Sequence, residues 1–125
     1  MLSLCIAAAT GFTSCKKDVR GDYVGSYRTN YQFTVNGQDY SGTYTLTIVL
    51  SATNDNDIIL NNIDNSGESV RATVNGNAMN IPQQSIKSIG ISGSGTLNGN
   101  VLNFFTQETQ TGGVTLNVTQ TATKQ

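Results

Sequence analysis

Three Asn-Gly dipeptides, Asn36-Gly37, Asn75-Gly76 and Asn98-Gly99, punctuate the chain, and each lies between stretches in which apolar and polar residues alternate. Both residues of the pair tolerate positive φ, so the dipeptide favours the type I′ turn that joins two antiparallel strands. From Tyr23 onward the flanking stretches are rich in Thr, Val, Ile and Tyr, and no helical spacing of apolar residues persists. A chain punctuated this way is directed toward consecutive hairpins.

Register tests each hairpin. A two-residue loop at Asn36-Gly37 sets Val35 against Gln38, Phe33 against Tyr40, Tyr31 against Gly42, Tyr27 against Leu46, Gly25 against Ile48 and Tyr23 against Leu50. The apolar residues of both strands then share one face, while Arg28, Asn30, Gln32, Thr43, Thr45 and Thr47 share the other. A slip of one residue would exchange the two faces. The same loop at Asn75-Gly76 pairs Ala72 with Met79 and Val70 with Ile81. At Asn98-Gly99 it pairs Gly95 with Leu102, Gly93 with Phe104 and Ile91 with Thr106.

Between these hairpins, residues 57–63 read as a strand bounded by Asn54-Asp55-Asn56 and Asp64-Asn65-Ser66-Gly67. Pro82, the only proline, is expected to end the strand at 77–81 because it has no N–H for the ladder, and the next strand spans 86–97. A two-residue loop at Gly112-Gly113 would put Val114, Leu116 and Val118 on the wrong face, so a three-residue loop at 111–113 or a bulge is expected. The spacing Gly93-Ser94-Gly95 suits a sharply bent strand; a phosphate-cradling loop would need a helix to follow, and Thr96-Leu97-Asn98-Gly99 forbids one.

Eight strands in succession, each with one polar face, predict an all-β fold: an antiparallel eight-stranded up-and-down meander barrel. Closure removes the exposed edges that a flat sheet would carry. An antiparallel β-sandwich is the alternative, since strand patterns alone do not separate the two.

Composition narrows function mainly by what is missing. The formal net charge is −1 and the charges are scattered, so no surface for nucleic acid is expected. Histidine is absent, which removes the commonest general base and metal ligand, and the composition argues against an enzyme. No cofactor or metal is implied. The run Asn54-Asp55-Asn56-Asp57 lacks the glycine and the distal glutamate of a calcium loop, and Asp55, Asp57, Asp64 and Glu68 read as turn residues. Glu108 is the one charge that register turns inward, where it could orient a polar ligand at a barrel mouth. Tyr23, Tyr27, Tyr31, Tyr44 and Phe104, with Glu108, are the candidate lining of a ligand cavity; Tyr40 belongs to the same set of tyrosines. The alternative for these rings is core packing with a wet hydroxyl.

The N-terminus carries a different signal. Residues 2–15 read LSLCIAAATGFTSC, an apolar run ending in small residues and a cysteine before Lys16-Lys17-Asp18. It is too short to span a bilayer as a helix. A secretory signal normally opens with basic residues, so the natural chain is expected to start upstream of Met1. Phe12-Thr13-Ser14-Cys15 resembles a bacterial lipobox, with Phe12 where Leu, Val or Ile is usual. The resemblance implies diacylglyceryl transfer to the Cys15 sulfur, cleavage before it and acylation of its new amine, which together give stable membrane anchoring. No aspartate directly follows Cys15, which implies an outer-membrane destination. The expected organisation is a signal peptide at 1–14, a lipid-anchored tether at 15–22, one barrel domain at 23–122 and a frayed tail at 123–125.

A second resemblance concerns the domain. Gly21-Asp22-Tyr23-Val24-Gly25-Ser26-Tyr27 is similar to the Gly-x-Trp opening of lipocalins, with Tyr23 in the tryptophan position. Residues 89–97, followed by Asn98-Gly99, resemble a hairpin of small bacterial lipoproteins with calycin or lipocalin-like barrels. What this implies is the barrel and a cavity. The expected function is a non-catalytic, lipid-anchored binding module of the cell envelope that holds a small apolar ligand. The alternative is a structural lipoprotein with a filled barrel that meets an envelope protein on its outer surface.

Overall fold

Each alternating stretch becomes a strand paired antiparallel with its neighbours in a computed structural model that describes residues 18–110 and 112–125. The strands are β1 (Gly25–Val35), β2 (Gln38–Leu50), β3 (Asp57–Asn61), β4 (Ser69–Asn75), β5 (Ala78–Ile86), β6 (Ile89–Asn98), β7 (Val101–Thr109) and β8 (Thr115–Lys124). β8 pairs back onto β1 from Tyr27↔Lys124 to Gln32↔Thr119, which closes the sheet into an up-and-down barrel and rules out the sandwich. The signal expected at 1–14 and Cys15, with the start of the expected tether, lie outside the described residues.

Inward positions carry the core, as period-two alternation requires. Tyr27, Leu46, Ile48, Ile58, Leu60, Ile81, Ile91, Leu102 and Ala122 are fully buried. Each large aliphatic side chain so buried contributes about 1.5–3 kcal/mol. The outward residues Arg28, Asn30, Gln32, Thr43 and Thr45 are exposed.

The first hairpin has the expected register, with Val35↔Gln38 closing the loop and positive φ at Asn36 (50°) and Gly37 (78°). The next two Asn-Gly hairpins are displaced by two residues. Asn75↔Ala78 and Asn98↔Val101 close loops of Gly76-Asn77 and Gly99-Asn100. Ala72 therefore does not face Met79; Val74 does, while Gly95 faces Phe104, Gly93 faces Thr106 and Ile91 faces Glu108. In an Asn-Gly-Asn triplet the glycine can take either central position. Here it takes the first, as the loop residue with positive φ (64° at Gly76, 59° at Gly99), which is the type II′ pattern. A shift of two keeps every residue on its face.

Pro82 does not end its strand. β5 runs through it to Ile86, and its pairing with β6 shifts register between Ile81 and Gln84. A bulge asks no ladder donor of proline, so Pro82 is tolerated there. The Gln84 side chain repairs the neighbouring gap. Its Oε1 accepts from the Arg71 N–H at 3.1 Å, and its Nε2 donates to the Arg71 carbonyl at 2.9 Å. The turn that follows is Lys87-Ser88, with φ of 47° and 70°, so β6 begins at Ile89 rather than Ile86. The register of β7 with β8 is the one expected, with Thr109↔Thr115 paired and the Gln110 N–H donating to the Val114 carbonyl at 2.9 Å.

The two ends of the barrel differ. At the base, a single 3₁₀ turn (Val19–Asp22) folds under the strands, so the described part of the segment expected as a tether, from Asp18 onward, is packed against the barrel. Arg20 Nη1 donates to the carbonyls of Asn54 (3.0 Å) and Asp57 (3.1 Å), while its Nη2 pairs with Asp18 at 2.9 Å. That hydrogen bond to Arg20 holds the Asp18 carboxyl below its ordinary value. Tyr23, expected opposite Leu50, instead caps the turn and plugs the base; its hydroxyl donates to the Gly76 carbonyl at 3.0 Å. The tail at 123–125 is not frayed. Lys124 Nζ donates to the Asp22 carbonyl at 2.7 Å, and Gln125 N–H donates to the Ser26 carbonyl at 2.9 Å. The other end, where the β1–β2, β3–β4, β5–β6 and β7–β8 loops gather, is the mouth.

Candidate functional site at the barrel mouth

The β3–β4 connection sets the chemistry of the mouth. β3 stops at Asn61 because Asn62 enters the left-handed region at φ 69°. The Asn62 side chain fixes the bend: Nδ2 donates to the Thr45 carbonyl at 2.9 Å, and Oδ1 accepts from the Gly67 N–H at 2.8 Å. Ile63 drops into the barrel and is fully buried. Asp64 is also left-handed, at φ 55° and ψ 25°, and its carboxylate turns toward β8. Such a backbone costs a non-glycine residue about 1–3 kcal/mol, least for Asp and Asn, and strained positions gather at functional sites.

Gln120 faces inward on β8 and is almost wholly buried. Its amide serves three partners at once. Oε1 accepts the hydroxyl of Tyr44, while Nε2 donates to Asp64 Oδ1 and, at 3.3 Å, to Thr106 Oγ1. Burial, and then the charge of Asp64, raises the Tyr44 phenol well above its ordinary value, which keeps it a neutral donor. Burial also pushes Asp64 up to about 6, against the lowering effect of the Gln120 hydrogen bond.

Two oxygens are left over. Asp64 Oδ2 and Glu108 Oε2 are both buried, and neither meets a hydrogen-bond donor among the described residues. Both residues line one cavity of about 210 Å³, together with Tyr31, Phe33, Leu116 and Val118. Buried carboxylate oxygens without donors are costly and rare, so a pair on one cavity calls for an explanation.

An aromatic ladder forms one wall. The Tyr31 ring lies tilted against Tyr44 at 6.1 Å and stacks with Phe33 at 6.0 Å, and Phe33 stacks with Tyr40 at 5.2 Å. Gly42 makes this possible, since a Cβ there would stand 2.7 Å from Tyr31 Cζ. β1 and β8 part beyond Gln32↔Thr119, so the tips of the β1–β2 and β7–β8 hairpins splay. Tyr40 and Val114 are exposed on those tips, at 47% and 64%.

Of the residues expected to line a cavity, Tyr31 and Glu108 line this one, while Tyr23 borders a separate pocket at the base and Phe104 one on the barrel wall. Tyr44 supports it from beneath through Gln120. Tyr23 and Tyr27 are core residues toward the base; burial raises both phenols to about 12, and the Tyr27 hydroxyl donates to the Tyr23 carbonyl at 2.7 Å. Phe104 is buried in the barrel opposite Gly95. Gln120 and Thr106 were not singled out as site residues by sequence, and Asp64 was read there only as a turn residue. Parity could have found Gln120, which shares a face with Leu116, Val118 and Ala122. Nothing in the pattern marks Asp64, whose direction depends on successive left-handed residues.

Among the described residues, no group of three or more acidic, histidine or cysteine side chains could hold a metal ion. The arrangement brings two carboxylates, aromatic rings and apolar side chains together at the open end of a closed barrel.

No protein-family model matches the sequence, and no curated protein matches it. The fold is similar to the crystal structure, at 2.40 Å, of a structural-genomics protein of unknown function from Bacteroides ovatus. The TM-score is 0.51 at 19% identity, over 81% of this chain and 41% of that one. The chain thus spans less than half the length of that protein, and the likeness supports the barrel fold alone.

Proposed function

We propose that this chain is a lipid-anchored, non-catalytic binding module of the bacterial cell envelope, and that its ligand enters the mouth rather than the barrel interior. The observation that carries this reading is the cavity at the mouth, lined by two acidic residues that each hold a buried carboxylate oxygen with no hydrogen-bond partner among the described residues. The interior below it is filled by the aliphatic core and by Tyr27 and Tyr44. The absence of histidine from the chain supports binding over catalysis.

Cys15 stands three residues before Asp18, which is fastened to the base. A lipid on Cys15 therefore holds the base toward the membrane, in the outer membrane on this reading, and the mouth points away. The exposed hairpin tips with Tyr40 and Val114 favour a second reading, in which an envelope protein meets the mouth.

The test is mass spectrometry of small molecules that co-purify with the chain from its native host, compared with a Leu116→Trp variant that fills the cavity. The expected result is a molecule recovered with the wild type and lost from the variant. Recovery of the same molecules from both would overturn the mouth as the site. Separately, Cys15→Ser is expected to move the protein into the soluble fraction; persistence in the membrane would overturn the anchor.

A further inference from the structure

We infer that the mouth cavity takes the protonated amine of a small organic cation, held between the carboxylates of Asp64 and Glu108 and beside the aromatic rings of Tyr31 and Phe33. This rests on the mouth being a ligand site, and it assigns the chemical class of the ligand.

Charge is the first argument. A buried carboxylate oxygen is stabilised by a donor that also carries positive charge. Among the described residues, neither Asp64 nor Glu108 forms an ion pair with a lysine or arginine. The cation of the neighbouring turn, Lys87, is engaged with Glu68 at 3.4 Å. Lys124 and Arg20 are committed at the base. The positive partner of this cavity is thus not supplied by those side chains. An anion would meet two carboxylates and is rejected.

The nature of the walls selects an organic cation over a metal ion. A hard cation such as calcium needs six to eight oxygens, and this cavity presents two carboxylates among rings and aliphatic side chains. Aromatic faces contribute nothing to such an ion, but they attract an alkylammonium through the ring quadrupole. Leu116 and Val118 supply apolar contact for the carbon body beside the charge. Size sets the last limit. About 210 Å³ holds an ammonium group with a short alkyl or aryl body, and any larger remainder leaves between the splayed hairpin tips.

The experiment is an NMR titration of the isotope-labelled 125-residue chain with three probes of matched shape and different charge, namely phenethylamine, 2-phenylethanol and phenylacetate, and with calcium chloride. Phenethylamine is expected to shift Tyr31, Phe33, Leu116 and Val118, with affinity at least about tenfold above that of 2-phenylethanol and no binding of phenylacetate. Asp64→Asn combined with Glu108→Gln is expected to remove that preference. If the double variant does not fold, Glu108→Gln alone is expected to weaken phenethylamine about tenfold. Equal binding of 2-phenylethanol at the same residues would overturn the cation while leaving the mouth as a site. Calcium shifting Asp64 and Glu108 without competition from the amine would also overturn it. Failure of every probe to shift a mouth residue at millimolar concentration would overturn both readings.

Discussion

The carboxylate of Asp64 is tied to the side-chain amide of Gln120, 56 residues further along the chain. Through the same amide it is linked to the hydroxyl of Tyr44. A turn at the rim of the barrel is thereby fixed to the barrel's interior. An amide suits this position because its oxygen accepts from a phenol while its nitrogen donates to a carboxylate.

Replacing Gln120 with leucine keeps the volume and removes both functions. Tyr44, Thr106 and Asp64 then lose a partner together, and the buried groups carry the penalty. Gln120→Leu is expected to destabilise the fold by about 2–4 kcal/mol in urea denaturation. A loss under about 0.5 kcal/mol would show that the amide is not the link described.

Asp64 makes stability depend on pH in a defined direction. Its folded value is about 6, above the roughly 3.9 of an unfolded aspartate, so the folded state holds the proton more tightly. Its favourable contribution is complete below about pH 4 and is lost as pH rises toward 6, amounting to roughly 2–3 kcal/mol. Asp18 has the opposite slope, since its folded value is depressed. The readout is therefore the difference between wild type and Asp64→Asn. Asparagine tolerates the left-handed backbone and still accepts from Gln120. The variant is expected to gain on the wild type between about pH 4 and 6 and to be the more stable above that. A constant difference across that window would contradict the burial of this carboxylate.

Two inward glycines should respond differently to alanine. A Cβ at Gly93 would collide with the backbone carbonyl of Phe105 on the paired strand, which has no room to retreat. A Cβ at Gly42 meets the outer end of the Tyr31 ring, which can swing aside. Gly93→Ala is expected to cost about 3 kcal/mol or more and Gly42→Ala about 1 kcal/mol. Gly42→Ala should also weaken phenethylamine, because it moves one wall of the cavity. Thermal melts and the probe titration check both, and a reversed order would contradict the packing.

At the base, Arg20 fastens the 3₁₀ turn to the β2–β3 loop and to the first residue of β3 through the carbonyls of Asn54 and Asp57. Arg20→Met retains the stem and removes the donors. The expected loss is about 2 kcal/mol, with faster amide hydrogen exchange confined to the base. Unchanged exchange at Tyr23 and Asn54 would show that the turn is held by packing alone.

The barrel was legible because alternation and Asn-Gly turns act locally and agree with one another, as at Asn36-Gly37. The two shifted hairpins were ambiguous for a stated reason: Asn-Gly-Asn offers glycine two central positions, and parity, the test applied, does not separate registers two residues apart. Pro82 misled because the bulge that accepts it depends on Gln84 reaching β4, a contact between strands. The cavity was legible on one side only. Glu108 follows from strand parity, whereas Asp64 reaches the same cavity through left-handed residues that resemble ordinary turn chemistry.

The most direct test of the mouth as an amine site is the ¹³C shift of the Asp64 carboxyl carbon followed through a pH titration. The account predicts a midpoint near 6 for the protein alone. With saturating phenethylamine it predicts a midpoint lowered by at least about one pH unit, since a bound cation favours the carboxylate. A midpoint near 4 for the protein alone, or one near 6 that the amine does not move, would contradict it.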